Sequence, residues 1–215
     1  ERIGAGTVDM GEIQIHPTVE QNTSYLISES IRGGGAILVN QKGERFYNEM
    51  STRDKVSASI IALPEKYAYI VFDEHVRAKN KAADEYIAKG FVTSASSPKA
   101  LAEALGMDHH AFLATLERYN GFVEKQHDDD FGRTTALRAP INEGPFYAIQ
   151  IAPGVHNTET CVLDSNHNVL PGAFAAGEVV GGIHGGNRIG GNAVADIIIF
   201  GTLAGHQAAM RSKRT

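Results

Sequence analysis

Residues 181–200, GGIHGGNRIGGNAVADIIIF, place six glycines in eleven positions ahead of an apolar stretch with helical character. Glycine at that density is entropically costly, so the pattern implies a backbone that something approaches closely. A helix beginning near Gly191 would present unpaired N–H groups and partial positive charge there, which suits an anion or an electron-rich carbonyl. Tight packing without any ligand explains the same glycines, so loop and helix together are a weak signal. Arg188 stands among the glycines, where its planar fork can close on a carboxylate. His184, in the same loop, reads as structural.

Two more arginines draw attention. Arg32 precedes three glycines in SESIRGGG and follows Glu29 by three residues, a helical neighbour pair. Exposed pairs of that type contribute little. Arg53 opens a helical pattern in STRDKVS, while Arg45, Arg77, Arg118 and Arg138 read as solvated. Among the histidines, DHH (108–110) and HDDD (127–130) lie at a helix start and in a polar loop without matched ligand spacing, so no metal site is expected. His16 in IQIHPT and His156 in PGVHNT each follow a strand-like run beside a proline or glycine turn. Buried structural histidine is the default for each. No GxSxG elbow supports a serine nucleophile, and no GxGxxG follows a strand to hold a dinucleotide pyrophosphate.

The elements that must position these residues are legible in part. AILVN (36–40) and the turn QKGER read as strand and turn, and RDKVSASIIAL (53–63) has Val56, Ile60 and Ile61 at helical spacing. YAYIVFD (67–73) reads as a buried strand. Ser97 and Pro98 predict one helix start, and Asp108 predicts another whose Phe112, Leu116, Tyr119 and Val123 share a face. FYAIQI (146–151), CVLD (161–164) and AFAAG (173–177) read as strands, with a helix from Gly191 to about Met210.

The totals exclude several classes. A formal charge of -5, with 42% hydrophobic and 21% charged residues in 215, describes an ordinary globular protein with no reason to bind nucleic acid. The single cysteine, Cys161, allows no internal disulfide. No apolar run is long enough for a membrane span, so a soluble protein of cytoplasm or periplasm is expected.

In chain order, IQIHPT, LISESIRGGGAILVNQKGERFYNEMSTRDKVSASI, FYAIQIAPGVHNT and GAFAAGEVVGGIHGGNRIGGNAVADIIIFG resemble the soluble fumarate reductases of the flavocytochrome c type. Those belong to the larger group of FAD-dependent succinate dehydrogenase and fumarate reductase flavoproteins. The resemblance covers essentially the whole chain. It implies an α+β capping domain (13–157) joined to the C-terminal portion of an α/β FAD-binding domain (158–215), with residues 1–12 ending a flavin-domain segment. The family's N-terminal FAD-binding segment, with its GxGxxG, is expected as a separate partner segment, and this piece alone is expected to be inactive.

The resemblance also implies roles. Arg53 matches the catalytic acid, and Glu29 with Arg32 the relay that restores its proton. His16 and Ser28 match groups holding one substrate carboxylate, and His156 and Arg188 those holding the other. Glu178 matches a flavin-ribityl ligand, and Gly190, Gly191, Asn192 and Ala193 lie against the isoalloxazine. The implied activity is reduction of an enoate C=C bond, fumarate to succinate first. The alternatives are another enoate of the urocanate or acrylate type, or a non-catalytic carboxylate-binding or assembly module. The cofactor is FAD, and an electron-donor module or protein is a further expected partner. One departure is plain: the family's second His and its Met-Gly-Gly are replaced by Asn157 and by Glu159-Thr160-Cys161.

Overall fold

The computed structural model describes residues 14–156, together with Ala173, Ala175, Ile198, Ile199, residues 201–206, Ala208 and Ala209. The chain divides into two compact units, one of Glu1–Gln14 with Val155–Thr215 and one of Ile15–Gly154. In the first unit the described residues from Ile198 to Ala209 are helical, as the apolar pattern predicts. The start of that helix and the expected strands at 161–164 and 173–177 lie wholly or largely outside the described residues.

The second unit is built from β1 (Gln14–Glu20), α1 (Glu29–Gly34), β2 (Ile37–Val39), α2 (Arg53–Ala62), β3 (Ala68–Asp73), α3 (Glu74–Ala78), α4 (Lys81–Ala88), β4 (Val92–Ala95), α5 (Pro98–Ala104), α6 (His109–Lys125) and β5 (Phe146–His156). β5 is the hub of a five-stranded sheet: β1, β3 and β4 all pair with it, and β2 pairs with β3. The β3–β5 register runs antiparallel from Ala68↔Ile151 to Asp73↔Phe146.

Period-two alternation divides the strand residues between two cores. Leu38, Ile70, Phe72 and Ile149 pack with Ile31, Val56, Ile60 and Tyr86 from α1, α2 and α4. Ile37, Val39, Tyr69 and Val71 pack with Leu101, Phe112, Leu116 and Tyr119 from α5 and α6. Helices thus cover both faces, which is why β3 reads as one apolar run and is buried along its whole length. The predicted caps hold: Ser97 Oγ accepts from Ala100 N at 3.2 Å, and Asp108 Oδ1 from His110 N at 2.8 Å. In the turn after β2, Gly43 has φ +82, and a Cβ there would lie 2.8 Å from Phe112 Cβ, so only glycine fits under α6. The elements α3, α4 and β4 are absent from the sequence reading, although Asn80, which caps α4 through a bond to Ala82 N, is a usable start signal.

Two expectations are corrected. Arg45 is not solvated; its side chain is 4% exposed and forks onto Glu49 (2.8 and 2.9 Å) and Asp128 (2.8 and 3.3 Å). Asp128 of HDDD is buried for the same reason, while His127 and Asp129 stay exposed. Arg133, fully buried, adds a bond to Glu49 at 3.1 Å. The ring of Tyr119 lies under both guanidinium groups, with its centroid 5.2 Å from Arg45 and 5.4 Å from Arg133. Each charge in this lattice has partners, as burial demands.

Burial works to raise the Asp128 carboxyl, but the bond and charge of Arg45 outweigh it and hold the group below its usual range. A carboxyl so lowered adds stability above the unfolded value and loses it as pH falls through the folded one. Asp128→Ala is therefore expected to cost about 3–5 kcal/mol at neutral pH, since it strips a partner from a buried pair. The loss should shrink in acid, and urea unfolding of the chain between pH 7 and pH 3 checks both parts. A variant as stable as the parent at pH 7 contradicts the lattice account.

Candidate active site

Ser28, Glu29 and Arg32 come together because α1 starts where it does. Ser28 is the N-cap, its Oγ accepting from Ser30 N at 3.2 Å, while Ser28 N donates to Tyr86 Oη at 2.8 Å. Glu29 then falls in the first turn, where the helix dipole favours a carboxylate. The helix ends at Gly35 with φ 123, a conformation suited to glycine.

Arg53 is the first residue of α2 and is buried. A cation at a helix N-terminus opposes the dipole, so local propensity does not place it there. Asp54 in the same turn and Glu29 from α1 supply the opposite charge. Arg53 Nε donates to Glu29 Oε1 at 2.7 Å, a charge-assisted bond.

The same oxygen collects two more groups. Arg32 Nη2 and His16 Nε2 each lie 3.9 Å from Glu29 Oε1. Three elements, β1, α1 and α2, therefore converge on one carboxylate oxygen. His16 is buried, and Thr18 N donates to its Nδ1 at 3.3 Å. With Nδ1 accepting, a neutral His16 carries its proton on Nε2, the nitrogen that faces Glu29. Thr18 also ties β1 to the approach to α1: its hydroxyl donates to Ile27 O at 2.8 Å, and Ile27 N donates to Thr18 O at 2.9 Å.

The electrostatics follow from this crowding. Partial burial acts to raise the Glu29 carboxyl, but the Arg53 bond and the charges of Arg53, Arg32 and His16 prevail and hold it below the usual range. Burial lowers the Arg32 guanidinium to about 10; Glu29 and Glu49 resist the shift, and Arg53 and Arg133 add to it. Arg32 Nη1 donates to Glu49 O at 2.7 Å, while its Nε is buried without a hydrogen-bond partner among the described residues. Burial thus makes Arg32 release a proton more readily than an ordinary guanidinium does.

Five of the residues singled out from sequence, His16, Ser28, Glu29, Arg32 and Arg53, thus form one cluster. The side chain of His156, at the end of β5, and Glu178, Arg188, Gly190, Gly191, Asn192 and Ala193 lie outside the described residues. Sequence reasoning passes over Thr18, Tyr86, Glu49 and Arg133, which hold the cluster. The spacing of His16 and Thr18 on one face of a strand is the only local signal for any of them.

A family model described as an FAD binding domain matches residues 1–194. The chain belongs to that FAD-binding family. It is 82% identical over 221 residues to an NADH:fumarate oxidoreductase of Klebsiella pneumoniae (strain 342), a match covering 99% of this chain and 24% of the relative. It is 45% identical over 222 residues to a fumarate reductase (cytochrome) of Shewanella frigidimarina, covering 100% of this chain and 39% of the relative. Among solved structures, the open conformation of a flavocytochrome c3 fumarate reductase superposes with a TM-score of 0.79 at 39% identity, over 97% of this chain and 38% of that one. The chain therefore spans between 24% and 39% of the length of these relatives. These findings bear out the resemblance to the fumarate reductase flavoproteins drawn from the motifs. Among the described residues no helix is long and apolar enough to cross a membrane.

Thr18→Val keeps the shape of the side chain but leaves the buried Ile27 carbonyl without its hydroxyl donor. The expected loss is about 1–3 kcal/mol in urea unfolding. The ¹⁵N shifts of His16 should still report a protonated Nε2 at neutral pH, because the backbone N–H of residue 18 remains. A switch of tautomer contradicts the assignment.

Proposed function

We propose that this chain supplies the substrate-capping and proton-delivering part of an FAD-dependent enoate reductase, with fumarate reduced to succinate. The observation that carries the reading is the 2.7 Å bond between Glu29 and an arginine held at a helix N-terminus against the dipole. The match to the FAD-binding family and the names of the relatives support the cofactor and the substrate. The division into Ile15–Gly154 and the remainder supports a capping domain over 13–157, flanked by FAD-domain segments at 1–12 and 158–215.

Bound and reduced FAD supplies a hydride to one alkene carbon. The chain's own residues must do the rest. His16 and Ser28 hold one carboxylate of the substrate, and His156 with Arg188 hold the other, stabilising charge that develops on the enolate-like side. Arg53 donates its proton to the second carbon. An arginine is always charged at working pH, so the acid is always loaded. Glu29 passes a proton back to Arg53 without storing it, since its lowered carboxyl is ionised at rest. Arg32 stands upstream. The 3.9 Å separation from Glu29 exceeds a hydrogen bond, so transfer from Arg32 requires a bridging water or a movement of about 1 Å. In this reading Glu178 and residues 190–193 serve the flavin, and the electron donor is another module or protein.

Arg53→Ala in the complete enzyme is expected to keep the fold, the flavin and substrate binding, yet lose about 10²–10⁴-fold or more in turnover. Lysine should restore only part, because its ammonium lacks the fork. Single-turnover reoxidation of reduced flavin by fumarate decides the matter, and a parental rate in Arg53→Ala removes Arg53 as the acid. Running urocanate and acrylate as oxidants beside fumarate separates the enoate classes. No reoxidation by any of them favours a non-catalytic carboxylate-binding module.

The pH profile gives an independent check. Arg32 must be protonated to donate, so turnover should be level below its value and fall as pH rises through about 10. The limb should be lost in Arg32→Met, whose remaining slow turnover no longer depends on that group.

A further inference from the structure

α1 carries Ser28, Glu29 and Arg32, yet it has only six residues, too few to hold a helix unaided. At its C-terminus Gly35 N donates to Arg32 O at 3.0 Å and Ala36 N to Ile31 O at 3.3 Å, and the carbonyls that follow need donors from elsewhere. Arg138 Nε donates to Gly33 O at 2.6 Å and Tyr119 Oη to Gly35 O at 2.9 Å. Arg133 donates to Ala36 O at 3.0 Å and to Arg32 O at 3.4 Å. All three donors come from the segment between α6 and β5 or from α6 itself, far away in sequence.

Glu49 closes the arrangement from the other side. Its carboxylate, fully buried, takes Arg45 and Arg133 and accepts from Leu38 N at 3.3 Å. Its backbone carbonyl takes Arg32 Nη1 at 2.7 Å. Arg32 is thus gripped at its guanidinium by Glu49 and at its own carbonyl by Arg133, and those two residues are bonded to each other.

Neither Glu49 nor Arg133 has a part in the chemistry proposed above. Buried ion pairs are also a poor route to stability, because apolar residues of similar volume often serve as well. We propose that the Glu49–Arg133 pair, seated on Arg45 and Asp128 and joined by Tyr119, is the positioning device of the proton relay, fixing α1 so that Arg32 and Glu29 stay in line with Arg53. The proposal rests on the reading of those three residues as the relay. The charged groups acting on Arg32 are Glu29 from α1, Arg53 from α2, Glu49 from the segment before α2 and Arg133 from the segment after α6. Of these, Glu49 is the carboxylate outside the relay.

Two variants in the complete FAD-loaded enzyme test it. Glu49→Gln keeps the shape and the backbone carbonyl but removes the charge. Tyr119→Phe keeps the ring and removes only the bond to Gly35. Misplacing the relay should slow fumarate-dependent turnover about tenfold or more in Glu49→Gln and a few-fold in Tyr119→Phe, with KM changed by less than about twofold. The solvent deuterium isotope effect on turnover should rise in both, and flavin reduction by an artificial donor should stay at the parental rate. The alkaline limb of Glu49→Gln should move to lower pH, because Arg32 loses a carboxylate that supports its charge. Stability loss alone produces none of these shifts in an enzyme that remains folded. If Glu49→Gln does not fold, Tyr119→Phe decides. Parental turnover, isotope effect and pH limb in the folded variants overturn the positioning role when Arg53→Ala is inactive. A parental rate in Arg53→Ala overturns the relay, and this proposal with it.

Discussion

The Glu49 carboxylate is the point on which this structure turns. It sits out of contact with water and takes two arginines, Arg45 from the turn after β2, four residues before it, and Arg133 from beyond α6. Neither arginine can be buried without it, and it cannot be buried without them. Arg133, once fixed, spends its remaining donors on the carbonyls of Arg32, Thr135, Ala36 and Ala136. The path of the chain around α1 follows from that satisfaction of charge.

A six-residue helix held in this way can carry an arrangement that its own propensity would not sustain. Glu29 sits at the favourable end of α1, but it faces Arg53 at the unfavourable end of α2. The pair reconciles two helix termini through one 2.7 Å bond. The remaining groups, Arg32 and His16, stop at 3.9 Å from the same oxygen. One close contact and two longer ones leave a carboxylate that is ionised and oriented without being sealed, since its side chain keeps 40% exposure. That combination suits a group that passes protons better than one that stores them.

The sheet serves this cluster from below. Helices cover both faces of the sheet, and β5, paired with β1 and β3, joins the strand that brings His16 to the core on which α1 and α2 pack. Thr18 couples the two sides directly: its N–H and its hydroxyl both meet the imidazole Nδ1, and two bonds join it to Ile27 just ahead of α1.

By itself the sequence determined what local rules can write. Ser97, Pro98 and Asp108 mark helix starts, the apolar runs of β3 and β5 mark buried strands, and the spacing of Phe112, Leu116, Tyr119 and Val123 marks the inner face of α6. The motifs around His16, Glu29, Arg32 and Arg53 also named the cluster and its family. Arg45 and Asp128 were illegible, and so were Glu49 and Arg133. A charged residue reads as solvated unless its partner is known, and these partners stand up to 84 residues apart. Only the tertiary structure decided which charges are buried, because the free energy of burying one ion depends on whether another, remote in the chain, arrives to meet it.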